Sequence, residues 1–325
     1  MSPRMPRLLV LLAAGSLVLS GAGAASAAAA PPPGPKGESF QNDRTVGVKL
    51  WNSQIVLRGD GLNGKRGDGY RLKRPCWYEP GPDGKDMLQQ QEQIRPYWFQ
   101  AHPDGTEEEF QEFLKQFKDQ EGKKGRWWVP SYNEKDPNGL SCWGALDPFV
   151  WAPEGETPPN GITAQELADI ARAALTVPEP KIMLNPNEKS YVNLGTWVWL
   201  GVDDPSRSVT AELPGVMSAT VTATLDEMEI DPGTTDTQRY DLKSECGPTG
   251  HPYVKGGKLQ CGVIYRRASV DLPRKVYELS VTTTWQVDVE TDGGPIPVAY
   301  QPIAIEVTRD VPVGEVQSTV TKLGD

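Results

Sequence analysis

Two apolar stripes at helical spacing and several runs of apolar–polar alternation organise this chain. Phe110, Phe113, Leu114 and Phe117 fall at i, i+3, i+4 and i+7, the spacing of one helix face. Thr106 with Glu109 forms a capping box ahead of them, and Gly122 supplies a stop. This stripe reads as core packing. The linker 153–160 (P-E-G-E-T-P-P-N) precedes a second helix. Thr163 and Glu166 form its box, and Leu167, Ile170, Ala171, Ala174 and Leu175 its buried face. Pro178 and Pro180 end it. Val46 to Leu57 reads as one strand, and Trp127 to Val129 as a short one.

From Tyr191 the period changes to two. Met217, Ala219, Val221, Ala223 and Leu225 alternate with Ser218, Thr220, Thr222 and Thr224. Tyr277, Leu279, Val281, Trp285, Val287 and Val289 line one face of a second long strand. Ile303, Ile305 and Val307, with 261–266 and 313–320, add further candidates. Alternation of this kind marks half-buried antiparallel strands. The expected fold is α+β overall: a mixed, Trp-rich N-terminal region (44–152), a linker and helix (153–180), and a C-terminal antiparallel immunoglobulin-like β-sandwich (181–325).

The first thirty residues carry an address. Arg4 and Arg7, an apolar stretch from Leu8 to Leu19, and the small residues before Ala30 follow the order of a secretory signal peptide. The apolar stretch is shorter than a membrane span requires. Residues 31–43, rich in Pro, Gly and Ala, are expected to form a disordered linker. Loss of the leader leaves 31 basic against 43 acidic side chains, a net charge of −12. Such a surface repels nucleic acid and disfavours docking on anionic lipid. The expectation is a secreted, extracellular or envelope-associated protein with no membrane insertion once the leader is gone.

Cys76, Cys142, Cys246 and Cys261 are an even set in an exported chain, which predicts two disulfides. Sequence permits three pairings. Cys76–Cys142 and Cys246–Cys261 are preferred because each lies within one candidate domain. No CxxC or histidine cluster supports a metal site, and no cofactor is expected.

Gly59-Asp60-Gly61-Leu62-Asn63-Gly64-Lys65 matches part of a phosphate-binding loop, but Arg66 replaces the magnesium-binding hydroxyl and no helical period follows. The segment therefore reads as a surface loop. Arg58-Gly59-Asp60 and Arg66-Gly67-Asp68 lie in the same loop, and Asp60, Asn63 and Asp68 miss the spacing of a calcium loop. Only His102 and His251 exist, and no hydrolase nucleophile motif is present. A carboxylate pair of the glycosidase kind is compatible with the many acids but is not marked by sequence. The ten tryptophans stand out, six of them before residue 150. They read first as core and second as sugar-stacking surfaces. Trp127 and Trp128 are the candidate stacking residues: on a strand one ring faces in and its neighbour faces out.

The segments Y-V-N-L-G-T-W-V-W (191–199), V-T-A-T (221–224), C-G-P-T-G-H-P-Y (246–253), C-G-V-I-Y-R-R-A-S (261–269), T-W-Q-V (284–287) and V-G-E-V-Q (313–317) form a constellation. It resembles a family of exported actinobacterial proteins with a C-terminal PKD-like, immunoglobulin-type domain. The resemblance covers about 162–320. In that family a W-D-F-G-D-G-like turn follows the V-T-A-T strand, whereas here M-E-I-D-P-G (228–233) occupies its place. The resemblance implies a fold and an address, but no activity and no catalytic residue. The expected function is a non-catalytic interaction or spacer module at the cell envelope, with an envelope protein or glycan as partner. The alternative is a secreted glycan-binding protein or carbohydrate-active enzyme that uses N-terminal Trp residues and carboxylates.

Overall fold

The computed structural model describes residues 48–316 apart from Asp203 and Pro295. The signal sequence, the 31–43 linker and the second half of the 313–320 strand lie outside the described residues. The run 46–57 does not form one strand. It gives β1 (Leu50–Trp51) and β2 (Val56–Arg58), which join different sheets. Asn52 between them adopts a left-handed backbone (φ 52°), a conformation Asn tolerates better than most residues. Gln54 N–H and the Ser53 hydroxyl turn instead to the buried carboxylate of Glu79, both at 2.7 Å.

The first sheet comprises β1, β3 (Cys76–Pro80), β4 (Gly125–Asn133) and β5 (Val150–Pro153), all antiparallel and centred on β4. Strand β4 extends well beyond the expected Trp127–Val129 and runs through Pro130. Tyr78, opposite Pro130, sends its own N–H and C=O away to Asn160 and Ile162. On its other side β4 pairs with β5 only through Trp128 and with β1 only from Tyr132. The missing N–H of Pro130 thus falls in a gap between two partners, where no ladder bond is lost.

Four helices dress this sheet: α1 (Gly84–Gln93), α2 (Arg95–Ala101), α3 (Glu107–Lys118) and α4 (Gly139–Gly144). The Thr106–Glu109 capping box forms as expected, and Phe110, Leu114 and Phe117 are buried. Helix α1 had no legible stripe, because only Met87, Leu88, Gln91 and Gly84 of its ten residues are buried. Its start is set by Asp83, which accepts from Asp86 N–H at 2.8 Å.

Helix α5 (Ala164–Ala174) opens with the expected Thr163–Glu166 box. It is not half-buried, however. Every residue from Leu167 to Ala174 is buried, Asp169 and Arg172 included. The helix packs on β9 (Ser206–Leu213) and β10 (Met217–Asp231), and its other side is covered by the 59–74 segment.

The remaining strands are β6 (Lys181–Asn185), β7 (Ser190–Tyr191), β8 (Gly195–Gly201), β11 (Tyr240–Ser244), β12 (Cys261–Tyr265), β13 (Tyr277–Thr291), β14 (Ile303–Val311) and β15 (Val313–Gly314). A five-stranded antiparallel sheet runs β14-β13-β10-β9-β2, and a four-stranded one runs β11-β12-β8-β6. The segment 228–231 does not turn but continues β10, so the turn comes later, at Pro232–Gly233. A bulge between Leu225 and Glu227 shifts the side-chain parity. Met228 and Ile230 therefore bury on the same side as Ala219, Val221 and Ala223. Tyr265 of β12 stacks on Tyr277 of β13 at 4.2 Å, joining the two sheets.

The fold is a β-rich α+β arrangement of antiparallel sheets. The described residues fall in one compact unit, and β2, drawn from the N-terminal region, is an edge strand of the five-stranded sheet. No described helix is long and apolar enough to cross a membrane.

Candidate functional site

Trp127 and Trp128 do point to opposite faces of β4, yet neither reaches solvent: each is 4% exposed. Trp127 packs with Phe117, Phe149 and Trp151 at centroid distances of 5.0, 6.3 and 5.6 Å. Trp128 belongs to the larger core, with Tyr78 and Ile162. The expectation of one outward ring is corrected by the sheet's surroundings, since β4 is central and both of its faces are covered. Both indole N–H groups are buried without a partner.

The aromatic surface lies elsewhere. Trp51 of β1 stands in register with Tyr132 of β4, their rings 5.3 Å apart. Trp143 of α4 meets Trp51 edge-on at 5.2 Å. All three are half-buried. The Cys76–Cys142 disulfide fastens α4 to β3 one residue before Trp143. The Pro130 carbonyl, released by the gap described above, accepts from Trp143 Nε1 at 3.2 Å and from Asn52 Nδ2 at 3.1 Å. Leu140, 63% exposed, lies on the same short helix. Burial, and then the nearby Glu134 carboxylate, pushes the Tyr132 hydroxyl pKa up. Three held rings with partly open faces can stack on a sugar or proline ring. Trp51 and Trp143 were visible among the ten tryptophans, but only pairing through β4 brings them together.

The carboxylates show where acid chemistry is tied up. Glu79 is wholly buried and accepts from Ser53, Gln54 N–H and Trp77 Nε1. Desolvation raises its pKa, against the pull of these donors. Asp169 Oδ1 takes the hydroxyls of Tyr70 at 2.6 Å and Tyr300 at 2.9 Å. Burial first, and Asp169 next, pushes both tyrosines above their ordinary value. Arg172 pairs with Asp68 and lies over the Tyr70 ring at 4.9 Å. Glu166 is shared between the helix cap and Arg74 at 2.6 Å.

Residues 59–69 are fastened rather than presented. Asp60 accepts from Ser208 N–H at 2.9 Å and pairs with Arg207 at 3.1 Å. Arg58 pairs with Glu212 at 3.3 Å, Arg66 with Glu179 at 2.5 Å and Asp68 with Arg172, so the charged side chains of both Arg-Gly-Asp triplets are paired within the chain. A Cβ on Gly59 would sit 2.2 Å from the Ser208 carbonyl oxygen, which is why glycine stands there. Among the described residues no His, Cys, Asp or Glu group is placed to hold a metal. His102 stacks on Trp98 at 4.3 Å, and His251 Nε2 contacts the Glu245 carbonyl at 3.0 Å. Cys76 is bonded to Cys142 and Cys246 to Cys261, the preferred pairing, with Cα separations of 5.8 and 4.7 Å. No family model, curated protein or solved structure matches the chain.

Proposed function

We propose that this chain is an exported, non-catalytic interaction module of the cell envelope, and that it meets its partner through the Trp51–Tyr132–Trp143 surface. The observation that carries this reading is the cluster itself, three half-open aromatic rings braced by a disulfide and by two hydrogen bonds to one carbonyl. Two disulfides fit an oxidising compartment. The C-terminal sheets, joined through Tyr265 and Tyr277, are read as an immunoglobulin-type sandwich of the PKD-like kind, a scaffold rather than a site. Commitment of Glu79, Asp169 and Glu166 to protein donors favours binding over carboxylate catalysis.

The partner chemistry that suits exposed indole faces is a glycan, and this is the second reading. A pull-down from envelope extract and a glycan array, each with wild type, Trp51→Ala and Trp143→Ala, test it. Retention by wild type and loss in both variants, with an unchanged melting temperature, is the expected result. Equal retention by all three proteins removes this surface from the proposal.

A further inference from the structure

Away from the aromatic surface, charge is sorted by side. The 65–74 segment runs along α5 on the side turned away from β9 and β10. Arg66 pairs with Glu179 at 2.5 Å, Asp68 with Arg172 and Arg74 with Glu166 at 2.6 Å, while Tyr70 donates to Asp169 at 2.6 Å. These even-numbered side chains turn inward, and Lys65, Arg71 and Lys73 between them are exposed. Glu179, Asp68 and Glu166 are each matched by an arginine, and none of the three outward cations forms an ion pair. The result is an unbalanced basic ridge on a chain whose net charge without the leader is −12.

The far side of the same stack is acidic. The five-stranded sheet turns Ala219, Val221 and Ala223 of β10 toward the core, where α5 packs, so the alternate residues form its outer face. That face carries Glu227 and Glu229 of β10, Asp288 and Glu290 of β13 and Glu306 of β14, all exposed. Glu229 and Glu306 flank Thr282 from either side, and Asp288 and Glu290 stand opposite Thr222 and Thr220. None of the five acids pairs with a cation. Arg58 and Arg274 at the margins are taken by Glu212 at 3.3 Å and by Glu278 and Asp310, both at 2.9 Å.

Sheet and helix lie between the ridge and the acidic face, so the two cannot meet within one copy. Between copies they match in sign and in spacing. Arg71 and Lys73 are two residues apart, as are Asp288 and Glu290, which sets like charges about 7 Å apart on both surfaces. Sheet, helix and covering segment stack at roughly 10 Å per layer. The remaining charges of each copy therefore lie beyond the Debye length of about 10 Å at 0.1 M salt, and facing pairs outweigh the repulsion between two acidic chains. A contact between two unlike patches does not close as a two-fold dimer does, so it extends from copy to copy.

We propose that this chain associates with further copies of itself head to tail, the 65–73 ridge of one copy seated on the acidic sheet face of the next. The proposal does not rest on the aromatic surface, and either one can fail alone. Sedimentation velocity of the chain without its leader tests it, up to about 500 µM protein and in about 0.1 M and 0.5 M sodium chloride. In the lower salt the sedimentation coefficient is expected to rise with concentration, with a Kd on the order of 100 µM. In the higher salt that association should weaken about tenfold. Lys65→Gln/Arg71→Gln/Lys73→Gln removes the ridge, and Glu227→Gln/Glu229→Gln/Asp288→Asn/Glu290→Gln removes the face. All of these side chains are exposed, so the melting temperature should hold in both variants. Each variant alone should stay monomeric. Mixed, the two should form one-to-one pairs and nothing longer, since a single ridge and a single face remain. Trp51→Ala should associate as the wild type does. A wild type that stays monomeric throughout overturns the proposal, as does association that salt does not weaken. It is equally overturned if either variant alone associates like the wild type, if the mixture forms no pairs, or if Trp51→Ala abolishes association.

Discussion

Replacing Asp169 with alanine removes the acceptor that holds two chain segments against α5. Tyr70 lies in the 59–74 segment and Tyr300 in the loop before β14, and both hydroxyls end on one oxygen of Asp169. A hydrogen bond to an ionised group contributes about 1.5–3 kcal/mol. Both tyrosines are only partly buried, so water can take up their hydroxyls, and the expected loss is about 2–4 kcal/mol rather than the full pair. Tyr70→Phe and Tyr300→Phe should each cost about 1 kcal/mol. Because the three groups share one network, the double substitution Asp169→Ala/Tyr300→Phe should cost less than the sum of its parts.

Urea unfolding at neutral pH measures these losses. A second arm uses alkali. The folded chain holds the Tyr70 and Tyr300 protons more tightly than the unfolded chain does. Their contribution is therefore complete below the ordinary tyrosine value near pH 10 and is lost as pH rises beyond it. Asp169→Ala should make that alkaline decline shallower without abolishing it, since burial is the larger cause of both shifts. A loss under about 1 kcal/mol together with an unchanged alkaline slope would refute the reasoning.

Three further outcomes follow from the packing. Trp127→Ala and Trp128→Ala should each lose roughly 3–5 kcal/mol in denaturant unfolding; a near-neutral result at either site would contradict its burial. Cys246→Ala/Cys261→Ala opens a loop of sequence separation 15 and should cost about 3 kcal/mol. Faster limited proteolysis within 247–260 should accompany it, and unchanged cleavage there counts against a tying role for the bond. Lys275 sits at φ 59° beside Arg274 at φ 57°, so Lys275→Gly should raise stability by about 1 kcal/mol; a lower melting temperature would show that the lysine side chain matters more than its backbone.

Much of the local structure was legible because it is local. The boxes Thr106–Glu109 and Thr163–Glu166 form as the sequence spells them, since every atom involved lies within four residues. The alternation buries the expected faces over 219–225 and 277–285, while Met217, Val287 and Val289 are only half-buried. Ser280 is an exception, buried although it lies on the polar face, and Thr283 fills the gap in the apolar face by donating to the Ile305 carbonyl at 3.2 Å. Helix α1 carries no apolar stripe in the sequence because its buried residues are few and spaced among glutamines. The break at Asn52 has no local signal, because Glu79, some 25 residues away, is what draws Ser53 and Gln54 out of strand pairing.

By itself the sequence determined the helix caps, the strand periods, the cysteine set and the acidic balance, all properties of short stretches or of composition. The site residues were a different matter. Trp127 and Trp128 are hidden because covering layers close both faces of β4, and no pattern within a strand records what packs on its far side. Trp51, Tyr132 and Trp143 form a surface only because β1, β4 and α4 converge, with a disulfide to hold them. Asp169 and Arg172 are buried because 59–74 folds over α5, which turns two ordinary helix charges into a network. Burial and convergence are set by contacts between distant segments, and so only the tertiary structure decided them.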